Sequence, residues 1–123
     1  MENKLERKIL QEWKNIIFNA IFAILNVLFA VLFYENILLT STLVGIVSVG
    51  GLIKWKSKLT LLIFIFSALL GTTGEIIAVN QGVWAYSFSN FISVPFWLFL
   101  VWGNAGAFVH QTALEFKKLG VKK

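Results

Sequence analysis

The sequence predicts an all-α fold, an integral membrane bundle of four helices. The chain is 58% hydrophobic and only 14% charged, whereas about a quarter of the residues in soluble domains are charged. Its apolar residues also form long runs, and about 20 such residues are enough for a helix to cross a bilayer. A soluble fold of 123 residues has too little interior to bury so much apolar surface. We therefore expect a single membrane domain, residues 1–123.

The segment before the first apolar run, residues 1–14, is amphipathic. Leu5, Ile9 and Trp13 recur at helical spacing with charged residues between them. This pattern is typical of a helix that lies at a membrane interface and leads directly into the first span. A solvated leader is the alternative.

Four apolar runs follow, each long enough to form a membrane-spanning helix. We predict spans at about 15–34, 37–53, 59–80 and 95–114. Pro95 suits the first turn of the last helix, because the N–H that proline lacks has no partner there.

Charge distribution predicts how the spans are threaded. All eleven Lys and Arg lie in the N-terminal segment, in residues 54–58 and in the C-terminal tail, and none lies in 34–36 or 81–94. Cytoplasmic loops carry the excess of Lys and Arg. We therefore expect both termini in the cytoplasm and residues 81–94 on the outer side. Because membrane orientation accounts for the net charge of +5, we expect no nucleic-acid partner.

Composition excludes several kinds of site. The chain has no cysteine, a single histidine and no aspartate, so thiolate chemistry is impossible and a metal cluster is not expected. We predict no metal and no cofactor.

Glu75 is the only carboxylate inside a predicted span. It shares a helical face with Gly71, which favours close helix contact over lipid, and no Lys or Arg lies at its depth, about 8 Å from the outer helix end. Such a carboxyl should be hydrogen-bonded or protonated. Two interpretations stay open: a catalytic general acid or proton or cation site, and an acceptor that anchors the loop. The candidate donors are Trp102, Tyr86, Asn80 and Gln81.

An aromatic cluster surrounds this position at the predicted outer interface. An aromatic belt accounts for most of it, and a stacking site for a flat or unsaturated lipid is the functional alternative. The candidate ligand-binding residues are Trp84, Tyr86, Trp102, Asn80, Gln81 and Trp97.

A second polar set lies deeper in the predicted bundle. Asn26 and Asn104 are expected near the midplane of the membrane, and Asn19 and His110 closer to the cytoplasm. Together with Glu75 these residues predict a polar column. A ladder of hydrogen bonds between helices is one interpretation, and a proton or ion path is the other. A path through so small a bundle would require a homo-oligomer.

The motifs around Glu75 carry a family resemblance. The run G-x-x-G-E at 71–75 is followed by G-x-W-x-Y at 82–86, P-x-W at 95–97 and the pair Trp102-Gly103. This pattern resembles short prokaryotic four-helix membrane proteins of unassigned activity and, over residues 71–103, membrane proteins of the carotenoid-hydratase type. The resemblance implies a prokaryotic plasma membrane, an isoprenoid-like ligand, and Glu75, Trp84 and Tyr86 as site residues.

Three functions are consistent with these features. The first is binding of a lipidic or isoprenoid-like ligand in an outer-half pocket around Glu75, with catalysis left open. The second is a small oligomeric transporter or channel subunit that uses the polar column. The third is an accessory subunit of a membrane complex. Membrane lipids are the partners expected for all three.

Overall fold

The computed structural model describes residues 2–120, and this part of the chain folds into four α-helices. The prediction of an all-α fold is confirmed over these residues, while Met1 and residues 121–123 of the predicted domain lie outside them. The helices are α1 (Glu2–Phe33), α2 (Ile37–Trp55), α3 (Lys58–Asn80) and α4 (Trp97–Lys118).

Within residues 2–120, three helices are long and apolar enough to cross a membrane: α1, α2 and α3. The fourth predicted span corresponds to α4, which is not among them. Its lower hydropathy reflects its polar residues, among them Asn104, His110 and Gln111.

The predicted amphipathic segment and the first span form one continuous helix. α1 has 32 residues, which corresponds to about 48 Å. Leu5, Ile9 and Trp13 are exposed on its N-terminal half. The N-terminal half of α1 therefore continues into the predicted span without a break in the helix.

Side-chain caps set the starts of α2 and α3. The Asn36 carboxamide oxygen accepts a hydrogen bond from the N–H of Leu39 at 3.0 Å, and the Ser57 hydroxyl accepts one from Thr60 at 3.1 Å. Both are residue types preferred at this position because they satisfy a backbone donor that the helix leaves unpaired. The connections are short: residues 34–36 join α1 to α2, and residues 56–57 join α2 to α3.

α4 packs against all three other helices, most extensively against α3. The contact with α3 is close where glycine faces a ring: Phe64 covers Gly103, and Trp102 covers Gly71. α4 therefore has neighbouring helices on more than one side.

The loop before α4 ends in a tight turn. The backbones of Phe91 and Val94 exchange hydrogen bonds of 3.0 and 2.9 Å, and Ile92 and Ser93 between them both have positive φ, as a two-residue turn of the I′ type requires. Val94 is fully buried beside Trp97 and Leu98. The loop is thereby folded onto the end of the bundle.

The first turn of α4 differs from the prediction. The helix begins at Trp97, two residues after the predicted start at Pro95. The N–H of Leu98 donates to the carbonyl of Pro95 at 3.1 Å, and the N–H of Phe99 donates to that of Phe96 at 3.2 Å. These are i to i+3 bonds, so Pro95 initiates a tighter turn that precedes the α-helix.

Candidate functional site

The bundle has two chemically different ends. We call the end formed by residues 34–36 and 81–96 the loop end, and the end formed by residues 54–58 and the last turn of α4 the basic end. Lys54, Lys56 and Lys58 lie at the basic end, as do Lys117 and Lys118.

At the loop end, two loop residues converge on Glu75 of α3. The indole Nε1 of Trp84 donates to Oε2 of Glu75 at 2.8 Å, and the hydroxyl of Tyr86 donates to the same oxygen at 2.9 Å. Because it receives two donors, Oε2 of Glu75 acts as a hydrogen-bond acceptor. This geometry matches the loop-anchoring interpretation of Glu75.

Tyr86 is held as a donor in this arrangement. Burial, followed by the hydrogen bond and the negative charge of Glu75, raises the pKa of the Tyr86 phenol above its usual range. The phenol therefore remains protonated at physiological pH and continues to donate to the carboxylate.

The other expected donors lie elsewhere. Trp102 was predicted to reach Glu75, but its ring packs on Gly71, where an added Cβ would overlap it. Asn80 and Gln81 are exposed at the end of α3, and Gln81 terminates the helix by donating its backbone N–H to the carbonyl of Ile77 at 3.0 Å. The hydrogen bonds described for Glu75 thus come from Trp84 and Tyr86.

A cleft of about 390 Å³ opens beside this cluster, between the end of α1, the loop and the start of α4. The Tyr86 and Trp97 rings form one wall, with centroids 6.3 Å apart and planes at 87°. Ala30 and Val31 of α1, and Tyr34 just after its end, also line the cleft. The volume falls within the range of about 300–1,000 Å³ typical of ligand pockets. We call it the aromatic cleft.

Trp97 has a second notable property. Its side chain is 92% buried, yet among the residues that the structure describes its Nε1 has no hydrogen-bond acceptor. Buried indole N–H groups usually find a partner. Trp97, which lines the aromatic cleft, therefore carries a buried N–H whose hydrogen bond the described protein does not supply.

A separate groove of about 540 Å³ runs between α3 and α4. Gly71, Gly106 and Trp102 line it together with His110. His110 had been predicted at the level of Asn19 in the polar column. It instead faces this largely apolar groove, and over residues 2–120 its Nε2 has no hydrogen-bond partner.

The deeper asparagines form two separate clusters. Asn104 donates to the side chain of Asn26 at 2.9 Å and accepts from Ser48 at 2.7 Å, while Asn26 also donates to the carbonyl of Val101 at 3.2 Å. Asn104 is fully buried and Asn26 is 4% exposed. The Asn26–Asn104 pair joins α1, α2 and α4, as expected for a ladder between helices.

The second cluster is centred on Asn19. It accepts from the indole of Trp55 at 3.1 Å and donates to Thr112 at 3.3 Å. The described bonds of Asn19 and those of Asn104 share no residue, and those of Glu75 go to the loop. The predicted column is therefore three local clusters.

Sequence reasoning overlooked some partners in these clusters. Ser48 and Thr60 are polar residues inside apolar runs, and this was an available signal. Thr60 accepts from Gln111 at 2.6 Å, and both side chains are buried. Trp55, next to the lysines of the basic loop, also uses its indole N–H inside the bundle.

No metal centre emerges from residues 2–120, where no three His, Asp or Glu side chains come together. Comparison with protein-family models, with curated proteins and with solved structures gives no match for this chain.

Proposed function

We propose that the protein is integral to a prokaryotic plasma membrane and binds an isoprenoid-like or other lipidic ligand in the aromatic cleft. The orphan N–H of Trp97, a residue that lines this cleft, is the observation that carries the proposal. A ligand whose hydroxyl or carbonyl oxygen enters beside the buried Trp97 ring would supply the missing acceptor, and its apolar body would contact Tyr86, Tyr34 and Val31.

Membrane placement rests on α1, α2 and α3, which are apolar enough to cross a bilayer. We propose that α4 crosses as a fourth span, because its contacts with the three others shield Asn104 and Gln111 from lipid. The lysines of the basic end then face the cytoplasm with both termini, and the aromatic cleft lies in the outer half of the membrane.

Glu75 has a positioning role in this proposal. It fixes Trp84 and Tyr86, and Tyr86 is a wall of the cleft, so that the carboxylate sets the shape of the site without touching the ligand. The resemblance to membrane proteins of the carotenoid-hydratase type favours an isoprenoid over other lipids. The buried side chains of Asn26 and Asn104 are hydrogen-bonded to each other and to neighbouring helices. This arrangement fits helix packing better than an ion path, so we rank a transporter or channel below ligand binding.

The test is binding of geranylgeraniol to the full chain in mild detergent, followed by native mass spectrometry. The hydrocarbon that lacks only the hydroxyl is the matched probe. We expect wild type to prefer the alcohol, and Trp97→Phe to lose that preference because phenylalanine has no N–H. Loss of a hydrogen bond of about 1 kcal/mol corresponds to roughly fivefold in affinity.

Controls separate a lost contact from a damaged fold. Trp13→Phe, at an exposed position on α1, should keep the preference for the alcohol. Equal binding of alcohol and hydrocarbon to wild type would contradict the role of Trp97. If neither probe binds and no apolar compound co-purifies with the wild-type protein, an accessory subunit becomes the better interpretation.

A further inference from the structure

A third cavity, of about 290 Å³, lies at the basic end of the bundle, opposite the aromatic cleft. α1, α2 and α4 contribute its walls, which contain Asn15, Lys54, Trp55, Glu115 and Lys118. Unlike the aromatic cleft, it is lined mainly by polar groups. We call it the basic-end pocket.

Two lysines and one glutamate line the pocket, so its lining has one more positive charge than negative charge. Glu115, only 5% exposed, lies 3.6 Å from the ammonium of Lys118 and accepts a hydrogen bond from Asn15 at 3.3 Å. Lys54 has no carboxylate within ion-pair distance among residues 2–120. Its ammonium lies instead 5.6 Å from the centroid of the Phe18 ring. The ion pair therefore leaves the Lys54 charge for an incoming anion.

The wall beside Lys54 is fixed in place. The Trp55 indole donates to Asn19, which is 1% exposed, and the Trp55 ring packs on Phe22 with centroids 4.8 Å apart. Lys54 is the neighbour of Trp55 in the last turn of α2, so its backbone position is fixed by the same contacts. A preformed wall lowers the entropy lost when a ligand binds.

Amide groups add further donors. Gln11 donates one N–H to Asn15 at 3.2 Å, and each carboxamide nitrogen carries two hydrogens. One N–H on Gln11 and one on Asn15 are therefore not used by these bonds. A cation, several N–H donors and an aromatic side wall match a group with several anionic oxygens and an apolar substituent.

We infer that the basic-end pocket binds a phosphate group, with Lys54 as its main cation. Charge-assisted hydrogen bonds from an ammonium to phosphate are among the stronger polar contacts in proteins. The phosphate could belong to the headgroup of an anionic phospholipid or to a free phosphate compound. The site is distinct from the aromatic cleft, and it does not depend on what the cleft binds.

The experiment titrates the delipidated full chain in mild detergent with phosphatidylglycerol, and with the diacylglycerol of the same acyl chains, which has no phosphate. Native mass spectrometry measures the bound fraction. We expect the phospholipid to bind more tightly. Lys54→Gln should weaken its binding by about tenfold, the loss expected for one charge-assisted contact of about 1.4 kcal/mol.

Two further variants make the result specific. Lys58→Gln removes the same charge from an exposed position of the same basic segment, outside the pocket, and should change binding by less than about twofold, as expected for a screened surface charge. Lys54→Arg keeps the charge and should stay close to wild type. Glu35→Gln, an exposed position at the other end of the bundle, should also leave phospholipid binding unchanged.

Competition with inorganic phosphate identifies the source of the group. Binding that depends on Lys54 and resists millimolar phosphate supports a lipid headgroup. Displacement by phosphate supports a free phosphate compound as the natural ligand. Equal losses in Lys54→Gln and Lys58→Gln would overturn the proposal, because the effect would then be general charge attraction. Equal binding of diacylglycerol and phosphatidylglycerol would overturn it as well.

Discussion

The carboxylate of Glu75 binds the indole of Trp84, nine residues further along the chain, with 2.8 Å between Oε2 and Nε1. This bond links α3 to the loop that follows it. Because Tyr86 donates to the same oxygen, one acceptor determines the position of two aromatic side chains. The Glu75 carboxylate, which belongs to α3, therefore fixes the position of the loop that follows this helix.

Substitution of Glu75 should destabilise the loop in a graded way. Glu75→Ala leaves both donors without their acceptor, and because the site is partly exposed, water replaces some of the lost energy. We expect the free energy of unfolding to fall by about 1–2 kcal/mol. Glu75→Gln keeps an oxygen but not the charge, so about half of that loss is expected. Thermal or SDS-induced unfolding in detergent measures both.

Glu35→Gln is the matched control for this prediction. Glu35 lies at the same end of the bundle and is exposed, so its neutralisation removes the same charge without removing a described contact. Its free energy of unfolding should stay within about 0.5 kcal/mol of wild type. If both Glu75 variants behaved like this control, the bonds to Trp84 and Tyr86 would not stabilise the protein.

Tyr86 should make stability depend on alkaline pH. Its folded-state pKa is raised by burial and by Glu75, whereas an unfolded tyrosine titrates near about 10. The folded protein therefore holds this proton more tightly than the unfolded chain does. The stabilisation is fully present below about pH 10 and is lost as the pH rises above that value.

The measurement compares wild type with Tyr86→Phe across this pH range. The free energy of unfolding of the wild type should decline more steeply above pH 10, and the late-titrating phenolate absorbance should be absent from the variant. Tyr34→Phe removes the other of the two tyrosines and should keep the late titration. Parallel pH profiles for wild type and Tyr86→Phe would contradict the assignment.

The helices were readable from the sequence because local signals define them. Apolar runs mark their middles, and the structure adds that Asn36 and Ser57 cap the starts of α2 and α3. Glu75 stood out because a carboxylate inside an apolar run needs a partner, and Tyr86 was one of the donors expected. Trp102 was misplaced because depth along a helix does not determine which way a ring points.

The polar column failed for a related reason. Asn104 and His110 are six residues apart on α4, which turns about 100° per residue, so the two side chains point in very different directions. His110 was grouped with Asn19 because the two lie at equal depth, although His110 faces the groove between α3 and α4. The turn at 91–94 was also unpredictable, since Ile92 is not a residue type that indicates positive φ.

The Asn26–Asn104 pair should show energetic coupling. Asn104→Leu leaves the carboxamide oxygen of Asn26 without the donor it has at 2.9 Å, and a cost of about 1–2 kcal/mol is expected for a buried bond between membrane helices. In Asn26→Leu/Asn104→Leu no orphan remains from this pair. The double variant should therefore lose less than the sum of the singles, by about 0.5–1 kcal/mol.

A double-mutant cycle of unfolding free energies measures this coupling. Pairing Asn104→Leu with Thr42→Ala provides the control, because Thr42 is exposed on α2 and bonds only to the carbonyl of Leu38 among the described residues. That cycle should be additive within about 0.3–0.5 kcal/mol. Additivity of the asparagine pair would mean that the two side chains do not stabilise each other.

Two glycines of α3, three residues apart, should respond to alanine in opposite directions. At Gly71 an added Cβ would overlap the Trp102 ring close to where the ring joins its own side chain, so the ring cannot simply swing away. At Gly74 no atom lies within 4 Å of the added Cβ. Gly74→Ala should therefore stabilise by about 0.5–1 kcal/mol, the usual gain when alanine replaces glycine within a helix.

Gly71→Ala has the same helical gain but must move Trp102, and overpacking costs about 1–3 kcal/mol. A net loss is expected, together with a change in tryptophan fluorescence as the ring leaves α3. Because the two substitutions are chemically identical and share one helix, their difference isolates the contact with α4. An equal gain in both variants would mean that Trp102 does not pack on Gly71.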